Sequence, residues 1–151
     1  MDGENLKVFI YPTNSLILAD LVERFGHKPL MINNAIGEKV RNAEIDHPPM
    51  NITDEDPKKG LKYAAIEVPS GVRGRMSMIG PLIDEAEAAI IMNKAPMGFG
   101  CVGCERTNEL TKYLVRRSEV PILNLEYPES DEDATVIVKK IALFLEDLGN
   151  K

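Results

Sequence analysis

The feature that most constrains the fold is an alternation running through most of the chain. Short runs rich in Ile, Val and Ala are each followed by a longer stretch whose apolar residues recur at helical spacing. The first run, Leu6-Lys7-Val8-Phe9-Ile10-Tyr11, is closed by Pro12 and reads as a buried strand. Asn14 or Ser15 then caps a helix in which Leu16, Ile17, Leu21, Val22 and Phe25 share a side, and Gly26 ends it. Residues 29–32 read as a second strand. A helix between two such strands demands parallel pairing and a right-handed crossover.

The pattern continues with a third strand over residues 62–68, ended by Pro69, and a fully apolar run at 88–92, as expected of a central strand covered on both faces. A fifth strand spans 120–125, and Pro121 near its start places it at an edge. Helical patterns lie between them. One contains Met76, Ile79, Leu82, Ile83 and Ala86, with Pro81 either starting a fresh helix or kinking the existing one. Another covers 107–117, with Leu110, Leu114 and Tyr113 facing inward. The last begins at Ser130 or Asp131 and ends at Gly149; its acidic start, Asp131-Glu132-Asp133, complements the helix dipole. Residues 33–60 are polar and interrupted by prolines, and read as an irregular excursion over one sheet edge with a short helix at 53–61. The expectation is one α/β domain over residues 1–151. Its fold would be an open, doubly wound, flavodoxin/Rossmann-like parallel sheet of five strands in the order 2-1-3-4-5.

Charge and composition exclude several functions. A net charge of -6 disfavours nucleic acid as a bulk partner. No run approaches the ~18 apolar residues of a membrane span. The acidic, polar start Met1-Asp2-Gly3-Glu4-Asn5 is unsuited to a secretory signal, so a cytoplasmic location is expected. In that setting two cysteines point to metal or redox use rather than to a disulfide framework.

Three loops should meet at the carboxyl edge of this sheet, where ligands of α/β proteins bind. The first, residues 11–15, offers Thr13 and Asn14 as ligand contacts. The second offers Ser70, Gly71, Arg73, Gly74 and Arg75 as an anion cradle, since glycines expose backbone N–H groups and arginines grip anions bidentately. The competing reading is a turn with two solvated arginines, and the stretch matches neither a Walker loop nor a dinucleotide fingerprint. The third loop holds both cysteines, Cys101 and Cys104, with Gly98 and Gly100 before them and Arg106 and Asn108 after. Two thiolates at this spacing supply half of a tetrahedral zinc or iron–sulfur site, which a second chain would have to complete. They equally suit a dithiol–disulfide pair, a binding loop without bond changes, or two small half-buried residues. His27 and His47 are distant in sequence and read as surface or turn residues. A thioredoxin-like motif would follow the first strand, not the fourth. A phosphoaccepting receiver would need an aspartate where Glu67-Val68-Pro69 stands, and the cobalamin-binding Asp-x-His-x-x-Gly pattern is missing.

The run Met97-Gly98-Phe99-Gly100-Cys101-Val102-Gly103-Cys104-Glu105-Arg106-Thr107-Asn108-Glu109-Leu110 resembles the methanogenesis marker protein 5 family. So do Lys7-Val8-Phe9-Ile10-Tyr11-Pro12 and residues 60–75, and the likeness spans nearly the whole chain. It implies an anaerobic archaeal cytoplasm, where exposed thiols and clusters survive, and an accessory part in methanogenesis; it assigns no residue a role. Gly100-Cys101, then Val120-Pro121-Ile122-Leu123-Asn124-Leu125-Glu126, then Ile141-Ala142-Leu143-Phe144-Leu145-Glu146 is similar to the closing βαβα unit of 2-hydroxyacyl-CoA dehydratase and benzoyl-CoA reductase subunits. Only Cys101 corresponds to a cluster ligand there, so that activity does not carry across. Two functional expectations result, ahead of a plain anion-binding module. One is a non-enzymatic accessory or assembly protein whose cysteine loop contacts a protein partner, or shares zinc or an iron–sulfur cluster with a partner or a second copy. The other is a thiol- or cluster-based redox enzyme acting on a small anion held by Arg73 and Arg75.

Overall fold

The computed structural model describes residues 4–41, 55–94 and 102–150. Its sheet has four parallel strands in the order β2-β1-β3-β4. The order of elements is β1 (Lys7–Tyr11), α1 (Leu16–Arg24), β2 (Lys28–Leu30), α2 (Ile32–Arg41), α3 (Glu55–Lys59), a 3₁₀ turn (Gly60–Lys62), α4 (Ser70–Glu85), β3 (Ala88–Asn93), α5 (Val102–Arg117), β4 (Ile122–Glu126) and α6 (Asp131–Gly149). The α/β class and the parallel, doubly wound plan are as the sequence predicts. The strand count is not.

Strand side chains alternate between two cores. Val8, Ile10, Ala88 and Ile90 face α1 and α6, where they meet Leu18, Val22, Ile141 and Leu145. Phe9, Ala89 and Ile91 face α4 and α5, where they meet Val72, Met76, Ile79 and Val115. β3 is buried on both sides from Ala88 to Met92, and β4 lies at the edge as Pro121 suggests. Helix boundaries follow local chemistry. The Ser15 hydroxyl accepts from the Leu18 N–H at 3.3 Å, the Ser130 hydroxyl accepts from the Asp133 N–H at 3.1 Å, and Gly26 at φ 81° closes α1. Pro81 sits inside an unbroken α4. Tyr113 is exposed rather than turned to the core.

The predicted third strand, residues 62–68, is instead the 3₁₀ turn and a series of bends strapped across α4. The cause is non-local. Gly60 lies so close to the Arg73 backbone that a side chain there would collide, and the Tyr63 ring fills the notch left by Gly80. Tyr63 Oη donates to Asp84 Oδ2 at 2.7 Å, and Lys62 Nζ reaches the same oxygen at 2.9 Å. The expected excursion at 33–60 holds α2 and α3, and residues 42–54, with His47, lie outside the described residues.

His27 also departs from expectation: it is buried. Its Nδ1 accepts from the Leu6 N–H at 3.3 Å and its Nε2–H donates to the Leu145 carbonyl at 2.9 Å, tying the amino edge of the sheet to α6. His27→Ala leaves both backbone groups without that partner, and a loss of about 1–3 kcal/mol is expected in denaturant unfolding. A change indistinguishable from zero would contradict the assignment.

Hydrogen bonds from Lys62 and Tyr63 hold the Asp84 carboxyl below the usual aspartate range. The contribution is therefore present above that range and fades as pH falls through the depressed value. Both Lys62 and Asp84 are well exposed, so Asp84→Asn should cost less than about 1 kcal/mol near neutral pH. Unfolding curves of the two proteins should converge in acid; a gap that persists there would be inconsistent with this origin.

Candidate functional site

Losing the predicted third strand brings β3 directly beside β1. Chain direction then fixes a switch point. From the end of β1 the chain turns to α1 on one face, and from the end of β3 it continues to α5 on the other. Connections that diverge in this way leave a crevice at the carboxyl edge. β3 ends at that crevice, and α5, which carries Cys104, is the next described element of the chain.

Tyr11, the last residue of β1, packs on the α4/α5 side. Lys112 of α5 places Nζ 5.1 Å from the centre of the Tyr11 ring and 4.0 Å from Glu109 Oε1. The Lys112 side chain is only 13% exposed while that of Glu109 is 70% exposed, so the lysine stem is covered beside the Tyr11 ring and the carboxylate is solvated. Burial, and secondarily the Glu109 charge, push the Tyr11 phenol above its ordinary value. Sequence reasoning missed this trio. The available signal was the place of Tyr11 at the carboxyl end of the first strand.

The other predicted residues divide. Cys104 is the third residue of α5, in its first turn, whereas Gly98, Gly100 and Cys101 lie outside the described residues. Arg106 is exposed and Asn108 half-buried on the same helix. The Thr13 carbonyl accepts from the Ile32 N–H at 3.2 Å, joining the β1–α1 loop to α2. Asn14 lines an apolar groove on the opposite face.

Residues 70–75 are no loop. They form the first turns of α4, begun when the Pro69 carbonyl accepts from the Val72 and Arg73 N–H groups. Arg73 does not point to an anion: its Nε donates to the Val68 carbonyl and its Nη1 to the Pro57 carbonyl, both at 3.1 Å. It staples the strap to α4. Gly74 is buried in the helix, Ser70 is exposed, and Gly71 and Arg75 are half-buried. Among the described residues no group of three His, Cys, Asp or Glu side chains could hold a metal ion, and no helix is long and apolar enough to cross a membrane.

Residues 6–148 match the family model described as an uncharacterized protein conserved in archaea, DUF2112. The chain belongs to this archaeal family. It is 72% identical over 142 residues to uncharacterized protein MJ0404 of Methanocaldococcus jannaschii, an alignment covering 94% of this chain and 95% of that protein. No solved structure matches it.

The Tyr11 assignment can be checked by ultraviolet titration of the four tyrosines. Removing the Glu109 charge relieves one of the two effects that disfavour the phenolate. Glu109→Gln should thus move one tyrosine midpoint downward while leaving it above the ordinary range, because burial persists. Unchanged midpoints would show that Glu109 does not act on the ring.

Proposed function

We propose that this chain is a cytoplasmic accessory or assembly protein associated with methanogenesis, which engages a partner through its Cys101-Val102-Gly103-Cys104 loop or shares zinc or an iron–sulfur cluster there. The observation that supports this reading best is the position of the loop: it joins β3 to α5 at the switch point, and Cys104 opens α5. Two thiolates make half a ligand set. His27 is withdrawn from the other half, since both its ring nitrogens are engaged at the opposite edge of the sheet. The remaining ligands then come from a second copy or a partner protein. The link to methanogenesis rests on the resemblance of residues 97–110 and 60–75 to the marker protein family.

A second reading is favoured by Lys112. Its half-buried side chain at the end of β1 replaces Arg73 as the cation that would hold a small anionic ligand, with Arg75 and Arg106 remaining candidates. In that case the two thiols would close to a disulfide as the ligand took up two electrons and two protons.

Anaerobic purification separates the readings. The first expects about half an equivalent of zinc or cluster per chain in a homodimer, or about one in a complex with a partner protein, lost in Cys101→Ser and in Cys104→Ser. Metal-free protein with a reversible Cys101–Cys104 disulfide, together with weaker anion binding in Lys112→Met, would replace it with the second. If neither cysteine variant changed metal content, disulfide state or partner capture, both would fall.

A further inference from the structure

On the face away from α4 and α5, an apolar groove of about 540 Å³ runs between α1 and α6. Leu21 and Leu16 form one wall, Ile137 and Ile141 the other, and Met92 and Pro12 lie beneath. Its rim is apolar as well: Leu16 is 70% exposed, Ile17 75% and Val138 45%. Exposed aliphatics gathered around a concavity, rather than scattered, mark a binding surface. A second groove of about 530 Å³ adjoins it and shares Tyr127, Pro128 and Ile137 as a common wall. That end is charged. Lys94 is paired with Glu126 at 3.1 Å, which leaves Lys140 against the carboxylates of Glu129 and Asp133, with Asp131 and Glu132 in the same helical turn as Asp133.

We propose that this surface receives an amphipathic helix of a partner protein, aliphatic on the face that enters the α1–α6 groove and carrying lysine or arginine where it reaches Glu129 and Asp133. The groove between two helices suits the helix-in-groove mode, in which spaced aliphatic anchors fill the concavity. Width argues against a small molecule, because an occupant of the floor alone would leave the Leu16 and Ile17 side chains in water. Charge argues against a second copy. The chain carries a net charge of -6, and a two-fold contact through this face would bring two acidic ends into one interface. Neither groove is lined by a described residue of α5, so the inference does not rest on the reading of the cysteine loop.

The test uses the full chain and a labelled peptide of about 15 residues, with leucines at i, i+3, i+4 and i+7 and lysines elsewhere, followed by fluorescence anisotropy. Binding is expected, weakened at least about tenfold by Ile17→Glu and by Glu129→Lys, and unchanged in the Cys101→Ser/Cys104→Ser double variant. Ile17→Glu is diagnostic because it adds negative charge. If attraction between charges alone drove binding, the basic peptide would bind this variant more tightly. Ile17 is exposed, so the substitution leaves the core intact. Equal affinity for a leucine–glutamate peptide would overturn the charge assignment. Saturable binding of a long-chain alkylamine with no binding of either peptide would assign the groove to a small amphiphile. Concentration-dependent dimerisation abolished by Ile17→Glu would assign it to a second copy. Either result would overturn the proposal.

Discussion

β3 is the strand on which both halves of the molecule hang. From Ala88 to Met92 every side chain is buried, alternately against α1/α6 and α4/α5, and it pairs on one side with β1 and on the other with β4. A polar group within that run would lose water without gaining a partner, at a cost of a few kcal/mol. The first polar side chain is Asn93, at the carboxyl end, and its Nδ2 donates to the Leu125 carbonyl at 3.2 Å. Chemistry can therefore begin only where β3 ends. The switch point is set there by connectivity, before any loop residue contributes.

Elements whose signals are local were legible in the sequence. Ser15, Gly26 and Ser130 mark helix ends through bonds to their own neighbours, and the apolar run at 88–92 announces a covered strand by composition alone. The failures share one cause, contacts between residues far apart in the chain. Residues 62–68 have an acceptable strand composition, yet Gly60 and Gly80 give the strap a closer seat on α4 than a sheet position would. Ile66 remains exposed as a result. His27 looks like a turn residue until Leu6 and Leu145 arrive from either end of the chain to bond it.

The candidate site was legible in place but not in all its residues. A carboxyl-edge crevice beside the cysteine loop follows from the βα alternation. The half-buried lysine beside Tyr11 does not. Arginine is the stronger sequence signal for anions because of its planar fork. That same fork makes Arg73 a good clamp for two backbone carbonyls, and the strap uses it so. Lys112 attracted no notice in sequence because a lysine on an amphipathic helix is ordinarily solvated. Burial against Tyr11 is what distinguishes it.

The divergence of the connections at the switch point also explains why one sheet edge carries two unlike surfaces. Tyr11 pairs in register with Ile91 and faces α4/α5, while Met92, the next residue of β3, faces α1/α6 and the apolar groove. The wall between them is thus a single sheet. The short β1–α1 connection divides in the same way, with the Thr13 carbonyl bonded to the start of α2 and Asn14 lining the groove. A side chain on this edge has a neighbour of opposite allegiance one residue away. Sequence proximity therefore says little about which surface a residue serves, and strand parity says most of it: Phe9 and Tyr11 of β1 face the α4/α5 side, and Val8 and Ile10 face the α1–α6 side.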